Sequence, residues 1–153
     1  MKKLLIIALA LVLALSLAAC GDKNVSIDTA ALSAEIEGSG VFVDTLVKMD
    51  ESAIGGQCES DVSGCVSMEY HAGMGATAEE WGIFECADAK AAKALVASLE
   101  AHRDSLLEVY ASYAPDAVPR IENAVIRQSG PYVLFIVAND YAGAASVADG
   151  YFS

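Results

Sequence analysis

The strongest constraint on this chain is one amphipathic stretch, Ala89 to Tyr113. Asp88 stands before it as a cap and Pro115 beyond it as a stop. Ala92, Leu95, Leu99, Leu106, Val109, Tyr110 and Tyr113 recur at i, i+3 and i+4, with Lys90, Lys93, Glu100 and Arg103 on the other side. A helix this long with a single apolar stripe needs an extended apolar surface to lie on.

The flanking segments supply that surface as two strand pairs. Cys65 to Tyr70 alternates Val66, Met68 and Tyr70 against Ser67 and Glu69 and reads as a half-buried strand. After the turn at Gly73-Met74-Gly75, Trp81 to Cys86 reads as its antiparallel partner. Thr77-Ala78-Glu79-Glu80 between them has capping-box spacing for one helical turn. Beyond the long helix, Ile121 to Gln128 is a third strand, Ser129-Gly130 a tight turn and Pro131 to Ala138 a fourth. Tyr132 to Val137 is apolar without alternation, so both of its faces should be covered. Asp28 or its neighbours cap a first helix carrying Ala31, Leu32, Glu35 and Ile36 and stopped by Gly38. Asn139 or Asp140 caps a last one carrying Ala144, Val147, Ala148 and Tyr151. Val41 to Met49 is a short strand or helical turn, and Asp50 to Gly64 a polar loop. The expectation is an α+β fold in the order α-β-β-α-β-β-α. It has a four-stranded, mostly antiparallel sheet with one long and two shorter helices packed on it.

The first residues read differently. Lys2 and Lys3 precede an uncharged run rich in Leu, Ile and Ala, which is the order of a secretory signal. The uncharged run from Leu4 to Gly21 is at the lower edge of the ~17–25 residues a bilayer-crossing helix needs. Leu17-Ala18-Ala19-Cys20 closes it and resembles the bacterial lipobox. That resemblance implies cleavage between Ala19 and Cys20 and a diacylglyceryl group on the cysteine sulfur. Two acyl chains such as palmitate anchor stably where one binds only marginally. The expected organisation is a signal peptide over 1–19, a lipidated cysteine and tether over 20–26, and one domain over 27–153. The expected location is the cell membrane, facing out of the cytoplasm, with the bilayer as first partner through Cys20.

Charge narrows the remaining partners. Without Lys2 and Lys3 the chain keeps 7 basic groups against 21 acidic ones, a net charge near −14. Nucleic acid is disfavoured, because its phosphates would be repelled, and no polybasic patch offers itself to anionic headgroups. Asn24-Val25-Ser26 matches a glycosylation pattern, which in an exported bacterial protein is read as chance.

No catalytic, cofactor-binding or metal-binding set assembles from the sequence. Cys58 and Cys65 are candidates for a disulfide closing a small loop, worth about 2.5 kcal/mol on the chain-entropy model. Cys86 is the third thiol, and its pairing with Cys58 or Cys65 stays open. A cysteine nucleophile would need His71 or His102 as its base. His102 falls beside the apolar stripe and reads as structural, and His71 as a solvated strand end. There is no CxxC pair and no His pair at i, i+4 for zinc. Asp50, Glu51, Glu59 and Asp61 lack the calcium-loop pattern. Gly73-Met74-Gly75-Ala76-Thr77-Ala78 fits GxGxxA, but a strand rather than a full helix follows, so these are turn formers.

Gly73 to Glu85, Tyr113-Ala114-Pro115 with Pro119 to Ile126, and Gly130 to Val137 together resemble a family of small bacterial lipoproteins built on a domain of unknown function (family 4358). The likeness spans most of Asp28 to Tyr151. Trp81-Gly82 stands where an aliphatic residue is common in that family, and Cys58 and Cys65 look like local additions. The family implies a location and a consistent fold, and brings no activity. The chain is therefore expected to be a non-enzymatic binding domain at the envelope, recognising an envelope protein or a small ligand. Trp81 and Tyr70 are the candidates for an exposed aromatic contact, although a core role is the stronger reading for both. The alternatives are an accessory enzyme using acidic groups such as Glu79, Glu80 and Glu85 around the Thr77 turn, and a cation-binding protein using the acidic loop of Asp50, Glu51, Glu59 and Asp61.

Overall fold

The computed structural model describes residues 25–74 and 77–152. The leader, Ala19, Cys20, the tether as far as Asn24, and Gly75-Ala76 of the glycine turn lie outside the described residues. In chain order the elements are α1 (Thr29–Gly38), β1 (Leu46–Lys48), α2 (Glu51–Gln57), β2 (Cys65–Gly73) and β3 (Glu80–Cys86). Then come α3 (Ala89–Tyr113), a 3-10 turn (Pro115–Ala117), α4 (Val118–Glu122), β4 (Val125–Ser129), β5 (Tyr132–Val137) and α5 (Tyr141–Tyr151). The caps are local chemistry: Asp28, Asp88 and Asp140 accept the Ala31, Ala91 and Gly143 amides at 3.0, 2.7 and 2.9 Å.

The strands form one antiparallel sheet in the order β1-β2-β3-β5-β4. The mixed helix-and-sheet class and the antiparallel pairing are as expected, but the sheet has five strands rather than four. The addition is β1, which pairs Leu46 with Gly73 and Lys48 with His71 along the outer edge of β2. Three residues are too few for an alternation to show. Two further helices also appear. In α2 only Ile54 is buried and two glycines occupy the interior, so the segment carries neither periodicity nor propensity. In α4, Ile121 is fully buried, and the strand expected from Ile121 begins instead at Val125.

Every residue of β5 is buried, as its unbroken apolar run implies. Val133, Phe135 and Val137 enter one core with Ala92, Leu95 and Leu99 of α3, Tyr70, Phe84 and Ile121. Leu134 and Ile136 enter a second core on the other face with Leu32 and Ile36 of α1, Trp81, Ala144 and Ala148. The sheet is thus sandwiched between helical layers. The far end of the α3 stripe leaves its core: Val109 is 56% and Tyr113 70% exposed, so the helix outruns the sheet it lies on. In the second layer, α5 packs on β4 and β5, and α1 on α5. The face of β1 and β2 beside them carries Lys48, Ser67, Glu69 and His71 besides Leu46. Among the described residues no helix is long and apolar enough to cross a membrane.

Candidate functional site

The segment Thr77 to Trp81 sends successive side chains into different layers. It forms no helical turn: Ala78 is held at φ +58°, a left-handed conformation that costs an L-residue about 1–3 kcal/mol and persists only where surroundings enforce it. Thr77 donates its hydroxyl to Asp44 Oδ2 at 2.8 Å. Glu79 then turns into the protein with its side chain fully buried. Its Oε2 accepts the Val43 and Asp44 amides at 2.9 and 2.7 Å, and its Oε1 accepts the Asn139 amide at 2.8 Å. Arg120 Nη1 approaches Oε1 at 3.6 Å, an ion pair too long to be a hydrogen bond. One buried carboxylate therefore joins the segment before β1, the end of β5 and α4. The Asp140 amide reinforces the join by donating to Val41 O at 3.0 Å.

The segment so pinned is one wall of a cleft of about 220 Å³, lined by Glu37, Gly40, Phe42, Asp44, Leu46, His71 and Trp81. The floor is a stacked pair: the His71 and Trp81 rings lie 4.2 Å apart at 13°. His71 Nε2 and Lys48 Nζ both meet Glu69 Oε1, at 3.0 and 2.8 Å. Burial alone would raise the Glu69 pKa, but these two hydrogen bonds outweigh it and hold the carboxyl below its usual range. His71 Nδ1 sits 3.9 Å from Glu37 Oε1 across the cleft. The lining holds two carboxylates, a histidine and apolar surface, and no lysine or arginine. Beyond the His71–Glu69 bond, on the same sheet face, lies a second hollow of about 230 Å³ lined by Thr29, Lys48, Ser67, Met68, Glu69, Ile83 and Glu85.

Glu80, one residue on, faces the opposite core. His102 Nε2 meets its Oε1 at 2.7 Å with both side chains buried, and His102 sits edge-on to Phe135. The Tyr70 hydroxyl and His102 Nδ1 are buried there without hydrogen-bond partners among the described residues. Burial and the Glu80 charge raise the Tyr70 pKa well above its ordinary value. This group is sealed between the sheet and α3, so His102 is the structural histidine its stripe position suggests.

The structure redistributes the sequence candidates. Glu79 and Glu80 point into different layers, and Glu85 is remote from both along β3, so they form no joint acidic site. Trp81 and Tyr70 are 1% and 0% exposed. Trp81 meets the cleft as its floor, and Tyr70 lies in the sealed core. His71 is buried rather than solvated. Among the described residues no three His, Cys, Asp or Glu side chains are grouped to hold a metal ion. Glu37 and Asp44 carried no signal in the sequence, and Phe42 and Leu46 carried only that of the short strand or helical turn expected over Val41 to Met49.

The cysteine pairing also differs. Cys58, Cys65 and Cys86 are free thiols. Cys58 caps the end of α2 and is fully buried, while Cys65 opens β2 opposite Cys86, their sulfurs 3.7 Å apart. The expected Cys58–Cys65 bridge is not formed, because the sheet register directs Cys65 toward β3.

No curated protein and no solved structure matches this chain. A family model described as a domain of unknown function, DUF4358, matches residues 59–138, from the loop after α2 to one residue beyond β5. The match contains the cleft floor (His71 and Trp81), both buried glutamates and Arg120, whereas α1 and the 39–45 wall precede it. With more than half of its length matched, the chain belongs to the DUF4358 family.

Proposed function

We propose that this chain is a non-enzymatic, lipid-anchored binding domain, tethered outside the cytoplasm through Cys20. It holds a small ligand bearing one positive charge in the cleft between α1 and the sheet. The observation that carries the reading is the fully buried Glu79 carboxylate spanning Val43, Asp44 and Asn139. Burying a charge is costly unless every oxygen is satisfied, and this one fixes a wall that would otherwise be a loose loop. What it fixes is a cleft with acidic Glu37 and Asp44 above an aromatic floor. That combination suits an ammonium or guanidinium group with a short apolar stem. At about 220 Å³ the cleft is sized for a side-chain-like head group.

The test uses the full-length chain in detergent and reads the fluorescence of Trp81, the chain's single tryptophan. Amines and guanidines are compared with carboxylates of the same size. Saturable binding of the cations, weakened severalfold by Glu37→Gln, is the expected outcome. Equal response to cations and anions, or indifference to Glu37→Gln, overturns the ligand assignment. Anchoring is tested separately: intact mass should show cleavage before Cys20 and two acyl chains, and Cys20→Ser should release the chain from the membrane fraction. An unmodified full-length mass refutes the anchor.

A further inference from the structure

Cys65 and Cys86 begin and end the paired segments of β2 and β3, directly opposite each other. The Ala87 amide donates to Gly64 O, whereas the Cys65 amide donates to Val62 O and the Cys86 amide to Pro131 O. The two cysteines therefore occupy a non-hydrogen-bonded antiparallel pair. Such pairs hold their Cα atoms about 4.5 Å apart with side chains close together, inside the ~4.4–6.8 Å span a disulfide tolerates. The pair sits where the register shifts, between Cys65 and Ser67, so the local backbone already departs from a rigid ladder. The sulfurs are in contact at 3.7 Å, and Cys65 is partly open to solvent. Cys58 is sealed in the core at the end of α2.

We propose that Cys65 and Cys86 are a redox pair that closes into a cross-strand disulfide when the protein meets a disulfide-bearing oxidant, with Cys58 remaining a free thiol. In the first step the Cys65 thiolate attacks the oxidant's S–S bond, forming a mixed disulfide and expelling one thiolate. In the second, the Cys86 sulfur attacks Cys65 Sγ and expels the second thiolate. The protein thiols lose two electrons and two protons, and the oxidant's disulfide is reduced to two thiols. Burial and the neighbouring Cys86 push the Cys65 thiol up to about 12, and burial raises Cys86 as well. Uncatalysed closure is consequently slow at neutral pH and accelerates as pH rises, because the thiolate is the attacking species. This inference rests on the sheet register and is independent of the cleft and its ligand.

The deciding experiment maps thiols on the native full-length chain. The protein is incubated with oxidised glutathione at neutral and mildly alkaline pH, blocked by alkylation without reduction, digested, and each cysteine peptide identified by mass, Cys20 included. The expected result is a linked Cys65–Cys86 peptide, loss of two alkylatable thiols, faster closure at the higher pH, and an alkylated Cys58 once the chain is unfolded. Cys58→Ala should close at the same rate. A Cys58–Cys65 or Cys58–Cys86 link, or three alkylatable thiols after prolonged oxidation, overturns the proposal. The wild-type map needs no variant to fold, so a destabilised Cys86→Ala protein would not obscure the answer.

Discussion

Glu79 gives the sharpest test of how this fold is held. Replacing it with Ala orphans three backbone N–H groups, those of Val43, Asp44 and Asn139, and removes the carboxylate facing Arg120, which keeps its hydrogen bond to Asn139 Oδ1. A buried donor left unpaired costs about 1–3 kcal/mol. Breaking one side of a buried ion pair costs about 3–5 kcal/mol. The terms overlap, since one carboxylate serves all of these partners, so the expected loss is about 3–5 kcal/mol. That is a large share of a total stability of about 5–15 kcal/mol. Glu79→Gln is the finer probe. It keeps the volume and one acceptor oxygen, but turns an NH2 toward amides that themselves donate, and it removes the charge facing Arg120. A loss of about 2–3 kcal/mol is expected. Urea unfolding followed by Trp81 fluorescence gives the equilibrium number. Amide exchange at Val43, Asp44 and Asn139 shows whether the loosening is local. If Glu79→Gln stays within about 0.5 kcal/mol of wild type and those amides keep their protection, the carboxylate is not what holds the wall.

Other consequences are independent of that one. A methyl group on Gly82 would meet the Tyr70 ring at 2.5 Å and the Phe84 ring at 2.8 and 2.9 Å. Gly82→Ala should therefore cost about 1–3 kcal/mol by overpacking, and an unchanged urea midpoint would show that these rings yield freely. Burial on folding raises the pKa of Cys65, Tyr70 and Tyr110 above their ordinary values of 9.0, 10.0 and 10.0. The folded state holds these protons more tightly, so their stabilisation is complete below about pH 9 and is lost as pH climbs through the folded values. Tyr70→Phe should flatten that alkaline decline, and melting temperatures across the range check it. At the acidic end the depressed Glu69 carboxyl has the opposite sign. Its contribution, present above the ordinary carboxyl value of 4.5, fades as pH falls through the folded value, and Lys48→Met should reduce it by a few tenths of a kcal/mol, because the Lys48 end of the pair is solvent-exposed. His71→Ala removes the ring stacked on Trp81 and should shift tryptophan emission without unfolding the protein; an identical spectrum would mean the stack does not persist in solution.

What the sequence determined by itself is whatever depends on neighbours along the chain. The 3.6-residue stripe and Asp88 define α3, the unbroken apolar run of β5 implies covered faces, and Ser129-Gly130 signals a turn between β4 and β5, which falls at Gly130-Pro131. What only the tertiary structure decided is whatever depends on register and on contacts between distant segments. β1 exists because it finds the edge of β2, and Cys65 meets Cys86 rather than Cys58 because β2 pairs with β3 in one register. The adjacent glutamates look like an acidic patch in sequence. Strand alternation sends Glu80 to His102 in one core, and the left-handed Ala78 turns Glu79 to amides 35 to 60 residues away. A carboxylate that organises distant backbone leaves no periodic trace, because its partners are N–H groups that every residue but proline carries.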